Sequence, residues 1–412
     1  MKKTLFLMLT GILGLSVFLM FAINVMAQSA ADSWPMIHHD VAHTGYTSSA
    51  GPITNQTLWN YTTDGPIWSS PAVSGGIVYV GSMDNSVYAL DAATGGLVWK
   101  YSTGGVIFPS PAVSDGVVYI GSDDHNFYAI NAASGDLVWN YTTEGQVHSS
   151  PAVSDGIGYV GSDDNSLYAF NAMTGAVVWS FQTGDAVISS PAIANGVIYF
   201  GSYDRRIYAL DVATGTQVWN YTTGGVVESS PVVASGVVYI GSNDNKTYAL
   251  DAATGASIWN STVGYDQCVQ ASPAYANGVV YTGSSFDNNV YALNATTGER
   301  IWTYTTGAAV YSFPAIAGNV VYVSSYDNKT YALDASTGEP IWTYETDGSL
   351  YSSPAVANDV VYIGSFDNNV YAIGQLQNSI TLPVTTYYLI VAVVVIMVVI
   401  AIAVMVLRRR RR

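Results

Sequence analysis

From about residue 58 onward the chain alternates short apolar runs with clusters of Gly, Asp, Asn and Ser, and this alternation returns in register. The prolines of a recurring SSPAV motif fall at Pro71, Pro111, Pro151, Pro191, Pro231, Pro273, Pro314 and Pro354, a spacing of 40 residues with small insertions after the fifth and sixth. Each unit reads SPAV, a turn such as SDG or ANG, VVYIGS, a turn at DN, VYALDAATG, and VWNYTT. This punctuation predicts four short strands per unit. A regular repeat also lets one closed architecture fill a length that would otherwise hold two or three domains.

The turn residues support the same reading. Asn195-Gly196 and Asn277-Gly278 sit between alternating apolar runs, and Asp115-Gly116 and Asp155-Gly156 take their place in other units. A tight hairpin needs positive φ at its centre, which these pairs supply. The second turn carries Asp84, Asp124, Asp164, Asp204, Asp244, Asp287, Asp327 and Asp367. An Asp there can accept from the backbone amides ahead of it. Calcium ligation is the alternative, but no carboxylate-dense twelve-residue loop accompanies these residues.

The tryptophans predict how the repeats close. Trp99, Trp139, Trp179, Trp219, Trp259, Trp302 and Trp342 each end a full unit, whereas Trp59, in TLWNYTT, precedes the first SPAV, and the last unit stops at VYAIGQL without such a strand. The early strand can complete the final sheet, so the expected fold is all-β, an eight-bladed β-propeller of four-stranded blades closed by an N-terminal strand. A linear solenoid would leave both terminal units incomplete.

Composition adds class and partners. With 31 Tyr and 10 Trp among 412 residues, the chain suits half-buried strands. Its 13 Lys and Arg face 29 Asp and Glu, and seven of the basic residues are terminal (Lys2, Lys3, Arg408 to Arg412). The acidic middle repels phosphate backbones, so no nucleic-acid partner is expected. The lone Cys268 permits neither an intrachain disulfide nor a cysteine zinc cluster.

The two ends predict export and anchoring. Lys2-Lys3, the apolar run Leu5 to Val25 and the small residues of VMAQSA describe a signal peptide over 1–27 with a cleavage site after Ala27; uncleaved, the same run could serve as a membrane anchor. Residues 387–407 carry no charge and can cross a core of roughly 30 Å as one transmembrane helix. The cytoplasmic Arg tail 408–412 then makes this a single-pass type I cell-membrane protein, its propeller extracytoplasmic over 58–376 behind a leader at 28–57 and a stalk at 377–386. Eight glycosylation acceptors, at Asn55, Asn60, Asn140, Asn220, Asn245, Asn260, Asn294 and Asn328, are compatible with export, or are by-products of a duplicated NYTT strand.

ALDAATGGLVW, AINAASGDLVW, ALDVATGTQVW and ALDASTGEPIW resemble the tryptophan-docking motif of PQQ-type β-propeller repeats, over nearly the whole region from Leu58 to Leu376. The resemblance implies that each Trp, Trp59 included, stacks on the next blade near its Thr-Gly turn. It also connects the chain to two kinds of relative: quinoprotein dehydrogenases that hold PQQ over calcium, and non-catalytic docking propellers. The dehydrogenases need a Glu/Asn/Asp calcium set and a catalytic Asp, and many carry paired cysteines; this chain has no cysteine pair and lacks their long insertions. The expectation is therefore a non-catalytic scaffold without cofactor or resident metal, binding a protein or envelope glycan. A PQQ/calcium enzyme and a structural or adhesion component are the alternatives.

Comparing the repeats with one another points to the binding residues. Three residues before each proline stand Trp68, Phe108, His148, Ile188, Glu228, Gln270, Tyr311 and Tyr351, while the flanking Ser and Pro hardly change. That position opens the innermost strand of a blade, so these side chains are expected to ring one mouth of the central channel, either as a ligand site or as a packed plug. His38, His39 and His43 are near enough in sequence to suggest a metal, yet their segment resembles the leader that packs as a lid in such proteins. Cys268 reads as an inert thiol, with no Cys-His pairing in view.

Overall fold

A computed structural model describes residues 33–264 and 271–375. The signal peptide, Cys268 and Gln270, the stalk, the predicted transmembrane helix and the Arg tail lie outside the described residues. Among those that are described, no helix is long and apolar enough to cross a membrane.

The described chain forms eight sheets of four repeat strands. Blade 1 is built from Ala72–Ser74, Ile77–Ser82, Ser86–Asp91 and Leu97–Ser102, paired antiparallel in that order. Blades 2 to 7 repeat the plan over 112–142, 152–182, 192–222, 232–262, 274–305 and 315–345. Blade 8 takes Ala355–Ala357, Val360–Gly364 and Asn369–Gly374 from the C-terminal side and Gln56–Thr62 from the N-terminal side, with Trp59 opposite Ala372. The closing strand starts at Gln56, ahead of the Leu58 at which the repeat pattern becomes recognisable.

Burial follows the sequence pattern strand by strand. The second and third strands are apolar on both faces because each blade is packed between two others: in Val117–Gly121 every residue after the first is buried. The fourth strands face solvent and alternate instead, as in Gln217–Thr222, where Trp219 points inward between exposed neighbours. A β-bulge recurs on this strand, so that Trp99 pairs with Ala89, Leu97 with Leu90, and Val98 is left between them. The bulge turns the indole toward the next blade and leaves exposed apolar residues such as Val98, Val138, Val218 and Ile301 on the rim.

Tryptophans fasten neighbouring blades. The indole N–H of Trp99 donates to the Ala132 carbonyl at 2.8 Å, and Trp139, Trp179, Trp219, Trp259 and Trp302 donate to Ala172, Val212, Ala252, Ala295 and Ala335. Trp59 closes the ring by donating to Ala92 at 2.9 Å. Its indole lies over Gly95, where φ is +73° and an added Cβ would come within 2.7 Å of the ring, so this contact requires glycine. Trp342 has no such turn beneath it, because blade 8 is assembled from both chain ends. It donates to the Pro52 carbonyl at 3.0 Å, and Tyr322 donates to the same oxygen.

Residues 34 to 47 follow the ring in sequence order, bonding to the innermost strands. Trp34 exchanges two backbone hydrogen bonds with Val73 of blade 1, and the Pro35 carbonyl accepts from Val113 of blade 2. Carbonyls of Val41, Ala42, Thr44 and Gly45 then accept from Ile193, Val233, Tyr275 and Ile316 of blades 4 to 7. Tyr46–Thr47 adds a parallel strand to blade 7. The leader thus satisfies donors that short inner strands would otherwise leave unpaired.

Candidate functional site: the channel mouth

Each innermost strand places three positions at successive depths. In blade 1, Trp68 is at the mouth, Ser70 lies below it, and Val73 is held by the leader. The serine level is a circle of bonds between blades. Ser70, Ser110, Ser150, Ser190 and Ser230 each donate a backbone N–H to the next blade's serine Oγ, at 2.7 to 3.0 Å. The N–H of Phe313 donates to Ser353, and Ser353 donates to Ser70, completing the return. Phe313 occupies a serine position without a hydroxyl to offer; its ring packs on His38 with centroids 4.6 Å apart.

Above this circle lies a cavity of about 350 Å³. Trp68, Phe108, His148, Ile188, Glu228, Tyr311 and Tyr351 all line it, with the serines, Phe313 and leader residue Ile37 deeper. The seven are half-buried. Their chemistry is divided around the ring. On blades 7, 8 and 1, Tyr311 stacks on Tyr351 at 4.4 Å and Tyr351 on Trp68 at 3.8 Å, while Phe108 of blade 2 meets Trp68 edge-on at 5.2 Å. The facing arc from blade 3 to blade 5 carries His148, Ile188 and Glu228. Among the described lining residues there is no Lys or Arg.

A second ring of variable residues supports the first. Met83, Asp123, Asp163, Tyr203, Asn243, Phe286, Tyr326 and Phe366 each precede the recurrent turn aspartate. Asn243 donates to the Glu228 carboxylate at 3.1 Å, and Tyr326 and Phe366 pack against Tyr351. His148 is clasped between Asp123 and Asp163, each 2.9 Å from one of its ring nitrogens. Burial lowers the imidazole's affinity for protons, but the two carboxylates, Asp163 foremost, outweigh it and raise the pKa above 6.5. The second ring escaped sequence reading because its members lie inside what looks like an ordinary turn. The repeat comparison that exposed the first ring would also have exposed this one.

The turn aspartates do structural work. Asp124 accepts from Asn126 N–H at 2.9 Å, from Tyr128 Oη–H at 2.6 Å and from Gly104 N–H of the preceding blade. The leader histidines are wedged into the fold: Nδ1 of His38 lies 3.2 Å from the His43 carbonyl, and Nδ1 of His43 lies 3.2 Å from that of Pro231. Burial pulls the His43 pKa down to about 4, and that of His38 well below 6.5. Among the described residues no group of His, Cys, Asp and Glu is arranged to hold a metal. Of the sequons, Asn55, Asn60, Asn140, Asn220 and Asn260 are exposed, whereas Asn245, Asn294 and Asn328 are half-buried.

A calcium-bound quinone of the kind held by quinoprotein dehydrogenases would need a dense set of oxygen donors. Calcium takes six to eight oxygens. Among the described residues Glu228 is the one carboxylate lining the cavity, its oxygen already accepting from Asn243, and Asp123 and Asp163 are engaged by His148. These residues do not fit that group.

Two family profiles match. Residues 117–317 match one described as beta-alanine-activating enzyme, beta-propeller, and residues 47–107 and 287–379 match that of outer membrane protein assembly factor BamB. No curated protein matches the chain. Among solved structures, BamB from Moraxella catarrhalis is 22% identical, with a TM-score of 0.68, covering 78% of this chain and 100% of its own. Quinohemoprotein alcohol dehydrogenase from Comamonas testosteroni is 18% identical, with a TM-score of 0.74, covering 86% and 83%. The computationally designed Ika8 protein is 16% identical, with a TM-score of 0.71, covering 78% and 100%. A designed ring and an oxidoreductase share one architecture, so the fold by itself assigns no activity. Together with the blade grammar and tryptophan docking described above, these matches show a PQQ-like β-propeller repeat fold.

Proposed function

We propose that this protein is a non-catalytic binding scaffold, held at the cell membrane by its C-terminal segment with the propeller outside the cytoplasm. The observation that carries this reading is the contrast between a copied framework and an individual mouth. Serines, turn aspartates and docking tryptophans recur blade after blade, whereas the two rings differ from blade to blade, and the first of them stands half-buried around an open space. Such a surface suits recognition of one protein or envelope partner. Likeness to BamB supports a docking role in general terms.

The test is capture from envelope extract by the full chain and by a Trp68→Ala, Tyr311→Ala, Tyr351→Ala variant. The variant is expected to lose the captured partner while keeping its circular dichroism and ring assembly. Capture unchanged by the triple substitution would overturn the proposal. Fold likeness to quinohemoprotein alcohol dehydrogenase favours a second reading, a PQQ- and calcium-dependent enzyme. Saturable binding of both to the purified chain would support it against the donor-set mismatch described above.

A further inference from the structure

We infer that the channel mouth is a socket for a basic side chain, arginine before lysine, presented by a partner protein. This rests on the scaffold reading and adds what the mouth recognises. The cavity, at about 350 Å³, is of side-chain scale and open at the mouth. One arc is aromatic, formed by Tyr311, Tyr351, Trp68 and Phe108, and the other brings the Glu228 carboxylate to the same space. A guanidinium is planar, weakly hydrated and at home beside aromatic rings, and a carboxylate opposite supplies its countercharge.

The floor fits the same guest. Each serine Oγ in the circle accepts one backbone N–H, as Ser110 does from Ser70, and retains a second lone pair. A guest with many donors and no acceptor can use that ring. An anionic guest is disfavoured: among the described lining residues there is no Lys or Arg to meet it, and the one imidazole nearby is held by Asp123 and Asp163. The formal charge of −16 on the whole chain adds long-range attraction for a basic partner.

The experiment is calorimetric titration of the detergent-solubilised full chain with acetyl-Gly-Arg-Gly-amide and with the citrulline peptide, which keeps the shape and removes the charge. The arginine peptide is expected to bind at least about tenfold more tightly. Glu228→Gln should abolish most of that preference without moving the melting temperature. Equal affinity for the two peptides, or no binding of the arginine peptide at ~10 mM, would overturn the inference. Choline binding as tightly as the arginine peptide would overturn it too, by assigning the mouth to a free cation. Partner capture lost in the mouth variant would leave the scaffold reading standing in each case.

Discussion

Trp219 shows at one position how this ring is held. Its indole is 7% exposed, its N–H is spent on the Ala252 carbonyl of the next blade, and Gly255 lies beneath it. Trp219→Ala removes a large buried side chain at a joint that cannot collapse without moving two blades, and should cost about 3–5 kcal/mol. Denaturant melts of the two proteins would measure this, and Trp219→Phe, which loses the hydrogen bond but less of the volume, should fall between them. An unchanged midpoint for the alanine variant would mean that docking is not what fastens the blades. This contact was legible through the resemblance of segments such as ALDVATGTQVW to the tryptophan-docking motif of PQQ-type repeats, which implied it. Trp342 was not, since its acceptor, Pro52, lies 290 residues away and in no repeat.

At the scale of elements, the blades were legible, whereas of the leader the sequence showed its place before the first blade but not its path. Strand order within a blade follows from hairpin turns and from the number of apolar faces, both local. The path of residues 34 to 47 has no periodicity, because its partners are backbone N–H groups on successive blades and its own side chains vary. Its two buried histidines give it a pH signature. His43 has a folded pKa of about 4 against an ordinary 6.5, so only the unfolded chain takes up a proton between those values. Their stabilising contribution is therefore full above pH 6.5 and declines as pH falls toward 4. His148 acts in the opposite sense, since its folded pKa is raised: its clasp contributes fully below pH 6.5 and is lost as pH rises through the folded value. Melting temperatures from pH 4 to pH 8 should fall on the acid side, less steeply in His43→Asn, a residue that tolerates the left-handed backbone at that position (φ 59°). An acid limb identical in the variant would contradict this.

Over the whole molecule, closure is what makes a mouth. The N-terminal strand completes blade 8, the serine circle passes a bond from blade to blade, and the leader lies below it. Among the described residues, that framework fixes seven variable positions around one cavity and leaves them free to differ without loss of fold. The first ring was visible in the sequence as the residue three before each proline. The pairing of Glu228 with Asn243, and of His148 with its two aspartates, was hidden because it joins residues from different turns and, for Asp123, different blades.

The most direct test of a recognition mouth is amide hydrogen exchange, by mass spectrometry, of the full chain with and without its captured partner. The account predicts new protection in segments 66–70, 106–110, 309–313, 349–353 and the turns at Asp123, Asp163 and Phe366, with the outer strands unchanged. Protection confined to outer strands such as Leu137–Thr142, with the mouth segments unaltered, would contradict it.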